Sequence, residues 1–172
     1  MPDRPRRAAA LADGLPAALY RVRSGRDTGH MPSASRAIEI AAPIETVFAF
    51  FTDPSKDPTW RAGVKEMQAQ GAPGVGTTVH QVVAGPGGRS IDADIRITEY
   101  AEPRRYAFAT IAGPVRPVGS YAFEETERGT RVTFTLSVEL GGLKKLLMGG
   151  PVQKSMDGEM AALDKARALL ES

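Results

Sequence analysis

Side chains that carry out acid–base or nucleophilic chemistry near neutral pH are scarce in this sequence. Cysteine is absent and there are two histidines, His30 and His80. This excludes disulfides, thiolate metal sites and cysteine nucleophiles, and it argues against a multi-histidine metal centre. The glycine-rich segments 74–76 and 85–88 are typical of turns, and no helical pattern follows either one to cradle a phosphate. We therefore expect neither a metal nor an organic cofactor.

Three side chains remain as candidates for catalysis: His80, Tyr106 and Tyr121. A histidine is suited to act as a general base near neutral pH, but the neighbours of His80 do not settle which face of its strand it uses. A lone histidine on a strand is most often a surface or half-buried residue. Each tyrosine shares a strand face with a phenylalanine and is core by default, yet a phenol facing a cavity would hydrogen-bond a ligand carbonyl.

Three charged residues, Asp92, Asp94 and Arg96, alternate with apolar residues that include isoleucines at positions 91, 95 and 97. Alternation with period two indicates a strand with one buried and one solvated face. The charges are then a solvated outer face with cross-strand ion pairs, rather than an active site.

The elements that must position these residues follow from the same kind of pattern. A first strand, with Ile38 and Ile40 on one face, ends at Pro43, which suits the opening of a short apolar helix that stops at Asp53-Pro54. A second short helical or turn segment reaches Trp60. Six alternating strands follow, separated by short turns that make neighbouring strands antiparallel. Residues 143–170 then predict one long helix, so the fold class is α+β.

The last helix is predicted to bend or restart at Gly149-Gly150-Pro151, because proline is tolerated best as a first helical residue. We therefore expect its N-terminal part to act as a movable lid. Its apolar stripe is expected to contain Val152, Met156, Met160, Leu163 and Leu170, with Glu159 and the other charged residues on other faces.

The net charge does not favour a nucleic-acid partner. The chain has 22 basic and 20 acidic residues, of which six arginines and three aspartates lie in 1–30. The remaining 16 basic and 17 acidic residues leave residues 31–172 close to neutral, whereas nucleic-acid binding requires a basic face on the domain. No segment is apolar enough to span a membrane. We expect a cytoplasmic protein, either a monomer or a homodimer.

Residues 1–30 show no sustained strand or helix period, and Asp13, Gly14 and Pro16 interrupt what would be the apolar stretch of a secretory signal. We expect this segment to be either a disordered basic tail or a non-native extension upstream of a translation start at Met31. The folded domain is then 31–172.

The sequence resembles the START-like or birch-pollen-allergen-like superfamily, and within it the polyketide cyclase/dehydratase and lipid-transport (SRPBCC) branch. The matching motifs are the segments 38–54, 58–60 with 63–64, 74–77 and 97–104, followed by the amphipathic helix, and they cover nearly all of 31–172. This resemblance implies a helix-grip fold, in which a seven-stranded curved antiparallel sheet, two short helices and a long C-terminal helix enclose a cavity. It also implies that the cavity holds lipids, polyketides or other ring compounds.

On this basis we expect a hydrophobic small-molecule ligand in a greasy cavity with few polar groups. A polyketide cyclase or dehydratase, a lyase- or isomerase-type enzyme, is the first alternative, and a co-chaperone-like interaction module that uses the outer sheet surface is the second. Trp60 is more often a core residue than a ligand contact. The predicted ligand-binding residues are Phe51, Trp60, Ile95, Tyr106, Phe108, Tyr121, Phe123, Phe134, Leu136, Met148, Val152, Met156 and Met160.

Overall fold

The computed structural model of the chain describes residues 32–138 and 142–172, with the backbone alone for 142–149. The predicted extension 1–30 lies outside the described residues. The elements occur in the predicted order. The strands are β1 (Ser33–Ile40), β2 (Val64–Ala69), β3 (Thr78–Ala84), β4 (Ser90–Asp92), β5 (Ile95–Ala101), β6 (Arg105–Thr110), β7 (Val118–Thr126) and β8 (Gly129–Ser137), and the helices are α1 (Ile44–Thr52), α2 (Asp57–Trp60) and α3 (Gly142–Leu170).

The strands form one antiparallel sheet in the order β1-β8-β7-β6-β5-β3-β2, with the three-residue β4 beside β3. This arrangement confirms the predicted seven-stranded helix-grip fold. One predicted strand, 91–97, is divided, because Asp94 accepts a hydrogen bond from the Gln81 backbone N–H with its side chain at 3.2 Å. This side-chain bond takes the place of one backbone hydrogen bond, whereas the Ala93 N–H still donates to the Gln81 carbonyl at 2.8 Å. β4 and β5 therefore pair with β3 separately, on either side of the break.

The core lies between the inner face of the sheet and helices α1 and α3. Alternate residues of β8, namely Val132, Phe134 and Leu136, are buried, as the period-two pattern predicts. Leu163 of α3 belongs to the same core cluster and is fully buried, and removing a side chain of that size from water stabilises the fold by about 1.5–3 kcal/mol. Sheet and helix each have a single apolar side, so each must cover the other.

Helix α1 anchors an aromatic cluster above the sheet. Phe48 packs edge-to-face on Phe123 with ring centroids 5.2 Å apart, and Phe51 packs in the same way on Trp60 at 5.4 Å. The helix ends where Asp53 caps the following turn by accepting a hydrogen bond from the Ser55 backbone N–H at 3.0 Å. This cap, with the proline that follows it, turns the chain into α2.

The expected restart of the last helix at Pro151 is wrong, because α3 runs through this residue as one helix. Pro151 lies on the exposed side of the helix, and the following turn is fixed to the sheet by Gln153, which donates to the Ser33 backbone oxygen and accepts from its N–H. These contacts offset the backbone hydrogen bond that the proline removes. The lid hypothesis, which required a hinge here, loses its basis.

Gly129 begins the last strand with φ of +132°, and a Cβ at this position would collide with the backbone of Ile40, Ala41 and Ala42. We expect Gly129→Ala to lower the free energy of unfolding by about 2 kcal/mol or more, because the backbone cannot move away. Gly74→Ala is the matched control, since nothing lies within 4 Å of its Cβ position and its φ is unexceptional. Urea denaturation of both variants measures the difference. Equal effects would contradict the steric argument.

Candidate functional site

A pocket opens between the end of α1, helix α2 and the inner face of the sheet. The void has a volume of about 310 Å³, including the part that is open to solvent. It is narrow, because the volume that the centre of a water molecule can occupy is only about 10 Å³. That space holds roughly one water molecule. The lining residues are Phe51, Thr52, Pro54, Asp57, Arg61, Met67, Ile95, Tyr106, Phe108 and Tyr121.

The polar part of the pocket is built around Arg61, the residue that follows α2. Its Nη1 donates to Asp57 Oδ2 at 2.8 Å and to Gln81 Oε1 at 3.2 Å, and its Nε donates to Glu159 Oε2 at 2.6 Å. Gln81 is itself held in place, because its Nε2 donates to the Ala93 carbonyl at 3.0 Å. One guanidinium therefore ties α2, β3 and α3 together beside the pocket.

Burial sets the protonation of these groups. It raises the pKa of Asp57 to about 6, because the lost hydration outweighs the attraction of Arg61, and the charges of Glu159 and Asp53 act in the same direction as burial. Burial opposes the charge of Arg61, but Glu159 and Asp57 more than offset it, so the pKa of Arg61 lies above its ordinary value. The arginine is cationic at every pH of interest, whereas Asp57 titrates near neutral pH.

The two tyrosines face this cluster as neutral donors. Burial, the largest cause, raises the pKa of both Tyr106 and Tyr121 above the ordinary value for a phenol. Neither hydroxyl, nor Arg61 Nη2, has a hydrogen-bond partner within 32–138 and 150–172. In those ranges the fully enclosed side-chain polar atom without a partner is Trp60 Nε1, so the other three donors, which belong to residues that line the pocket, are not fully enclosed.

The structure brings together part of the predicted ligand-binding set. Five of its members line the pocket: Phe51, Ile95, Tyr106, Phe108 and Tyr121. The Met148 side chain lies outside the described residues. Val152 is half-buried against the core. The others are buried in the core: Trp60, Phe123, Phe134, Leu136, Met156 and Met160.

His80 lies away from the pocket. Its strand neighbours Val79 and Gln81 are buried toward the core, so the alternation of the strand places His80 on the outer face. There its Nδ1 lies 2.8 Å from Asp94 Oδ1. His80 and Asp94 thus pair on the face of the strand opposite the Gln81 side chain, which contacts Arg61.

The expectation of a greasy cavity with few polar groups is wrong, because an ion-pair cluster forms part of its wall. Two signals in the sequence point to that cluster. Asp57 and Arg61 are four residues apart, the spacing of neighbours on one helical face. Glu159 lies three residues after Met156 and four before Leu163, so it shares their buried stripe, and the expectation that it faces elsewhere is also wrong.

A curved antiparallel sheet that grips one long helix above an internal pocket defines the helix-grip class of ligand-binding domain. The family model described as polyketide cyclase/dehydrase and lipid transport matches residues 31–171. The chain belongs to that family. No curated protein shows significant sequence similarity to it.

Solved structures share the fold at low sequence identity. A protein from Thermus thermophilus is 24% identical, with 80% of this chain and 95% of that one covered and a TM-score of 0.64. A START superfamily protein from Mycobacterium smegmatis is 19% identical, with 81% and 97% covered and a TM-score of 0.64. The di-domain ARO/CYC StfQ of the steffimycin biosynthetic pathway is 12% identical, with 82% of this chain and 51% of that one covered and a TM-score of 0.67.

Neither a membrane-spanning helix nor a cluster of metal ligands is found in the described part of the chain. No helix there is long and apolar enough to cross a membrane. No group of three or more histidine and acidic side chains in the same ranges is arranged to hold a metal ion.

Removing Arg61 should destabilise the fold strongly. Arg61→Met leaves the carboxylates of Asp57 and Glu159 buried without their cation, and we expect the free energy of unfolding to fall by about 3–5 kcal/mol. Arg36→Met is the control, because Arg36 makes a similarly short pair with Asp164 at 2.8 Å but both partners are more than a third exposed. That variant should lose about 1 kcal/mol. Similar losses in chemical denaturation would contradict a special role for the buried cluster.

The titration of Asp57 should appear in the pH dependence of stability. Its pKa rises from 3.8 to about 6 on folding, so the stability that it contributes is fully present below about pH 4 and is lost as the pH rises through about 6. The shift corresponds to at most about 3 kcal/mol. Asp57→Asn cannot titrate, so relative to wild type it should become more stable between about pH 4 and about pH 7.

Urea denaturation of wild type and Asp57→Asn across this pH range measures that trend. Asp164→Asn is the control, because the hydrogen bond from Arg36 lowers the pKa of Asp164. The contribution of Asp164 therefore changes below about pH 4 rather than between pH 4 and pH 7. A pH-independent difference for Asp57→Asn would show that this carboxyl does not titrate there.

Proposed function

We propose that this protein binds a small, mostly apolar molecule, a lipid, polyketide or other ring compound, with one end rich in hydrogen-bond acceptors. The observation that carries the proposal is the set of three unpartnered donors, Arg61 Nη2 and the hydroxyls of Tyr106 and Tyr121, beside a wall of apolar side chains. Donors without protein partners favour a ligand that supplies acceptors.

The apolar side chains and the hydrogen-bond donors of the pocket contribute differently to ligand binding. Apolar surface of the ligand that is removed from water by Phe51, Ile95 and Phe108 contributes about 25 cal/mol per Å². Each hydrogen bond to a ligand carbonyl adds a smaller net term, about 0.5–1.5 kcal/mol, but it fixes the orientation. Affinity therefore comes from burial, and orientation from the donors.

The narrowness of the pocket means that a ring compound must widen it. Met67 and Phe108 line it and are half-buried rather than enclosed. A methionine side chain changes rotamer readily and accommodates ligands of varied shape. These two side chains are thus the part of the wall best suited to move when a ligand enters.

A second function, cyclisation or dehydration of a polyketone, is favoured by one observation, the carboxyl of Asp57 in the pocket with a pKa of about 6. As a carboxylate it would take a proton from the carbon next to a ligand carbonyl. The C–H electron pair would then form the carbon–carbon double bond of an enolate, and the π pair of the carbonyl would move onto its oxygen. Arg61 and the phenols would stabilise the resulting enolate. Turnover that is abolished by Asp57→Asn and unaffected by His80→Ala would support this function over simple binding.

The co-chaperone-like alternative has no supporting contact or surface within 32–138 and 150–172. A cytoplasmic location and a monomeric or homodimeric state remain part of the proposal. The first rests on the absence of cysteine.

Filling the pocket should abolish binding. Met67→Trp places a large ring in the narrow void, whereas Gln68→Trp puts the same ring on the exposed, opposite face of the same strand. In a thermal-shift screen against aromatic ketones, phenols and sterols, a ligand at about 100 times its Kd should stabilise wild type and Gln68→Trp by about 2.7 kcal/mol. Met67→Trp should show no ligand-dependent shift. Failure of every compound to stabilise wild type would overturn the proposed function.

A further inference from the structure

We propose that the pocket selects neutral ligands that carry carbonyl or hydroxyl groups and rejects carboxylates built on the same skeleton. This inference rests on the proposed function, since it concerns the same pocket. It specifies the charge of the ligand, which the apolar wall alone leaves open.

The argument begins with the charge balance around Arg61. Its guanidinium contacts two carboxylates, Glu159 at 2.6 Å and Asp57 at 2.8 Å. All three side chains are largely withdrawn from solvent, with exposed fractions of 12% for Arg61, 9% for Asp57 and 19% for Glu159. With both acids ionised the cluster carries a net charge of −1, so the arginine has no positive charge left to balance an anion.

The geometry leaves hydrogen-bond donors but little attraction for a negative charge. Arg61 Nη2 and the phenols of Tyr106 and Tyr121 donate to a carbonyl or hydroxyl oxygen without any change of charge. A carboxylate in the same place would lie beside Asp57, which itself lines the pocket, in surroundings where charges are poorly screened. It would also lose its hydration on entering.

The selection should weaken in acid. The groups that face Asp57 are Arg61, Glu159 on α3, Asp53 at the end of α1, and the two neutral phenols. When Asp57 takes up a proton, its charge disappears and the cluster becomes neutral. A carboxylate ligand that is still ionised then meets one negative charge fewer, whereas a ketone is indifferent to the change.

Calorimetric titration with 2-acetylnaphthalene and 2-naphthoate tests this selection, because the two compounds share a ring system and differ in charge. At neutral pH we expect wild type to bind the ketone at least about tenfold more tightly. Between about pH 7 and about pH 5.5 the affinity for naphthoate should rise about fivefold or more, while that for the ketone stays constant.

Glu159→Gln removes one negative charge from the cluster and should narrow the preference for the ketone. Asp164→Asn removes the same charge elsewhere on α3, from an exposed pair, and should leave the preference unchanged. The wild-type pH series tests the inference independently if Glu159→Gln does not fold.

The outcomes separate the two proposals. Tight, pH-independent binding of naphthoate by wild type would overturn the charge selection and leave the binding function standing. Binding of neither compound, nor of any in the thermal-shift panel, would overturn both.

Discussion

The largely buried guanidinium of Arg61 organises the site. Arg61 has lost most of its hydration, since its side chain is 12% exposed, and such a loss is tolerated only when carboxylates and hydrogen-bond acceptors replace the water. Asp57, Gln81 and Glu159 supply them from three different elements. The demand for partners therefore fixes α2 against the sheet and α3 against α2, and it places charged groups in the wall of a pocket that is otherwise apolar.

The aromatic rings pack the core, whereas the Arg61 cluster borders the pocket. Stacked and edge-to-face rings fill the space between α1 and the sheet, with Tyr121 lying flat on Phe134 at a centroid distance of 4.2 Å. Such packing is dense and leaves little room. The pocket lies where the aromatic packing ends beside the Arg61 guanidinium. Donors there must hydrogen-bond to water or to a ligand, so apolar side chains do not pack over them. The same interaction thus explains why there is a pocket and why it is small.

The sequence was sufficient for the architecture and insufficient for the site. Period-two alternation and turn residues located the strands, since both depend on local chemistry alone. The divided strand at Asp94 and the continuous helix through Pro151 were missed, because each is decided by partners distant in sequence, Gln81 and Ser33. The cluster was missed for the same reason. Glu159 contacts Arg61 across 98 positions of the chain. Its place in a stripe of apolar neighbours indicates that it faces inward, but the stripe does not identify the arginine that it meets.

Trp60 has a further consequence for how the protein can be observed. It is the chain's one tryptophan. Its indole is buried, its Nε1 has no partner within 32–138 and 150–172, and the Arg61 guanidinium carbon lies 5.9 Å from the ring centroid. An indole in such dry surroundings emits at short wavelength, and a nearby cation perturbs its excited state. Trp60 is therefore an intrinsic fluorophore next to the cluster. A movement of Arg61 should shift its emission maximum or change its fluorescence intensity.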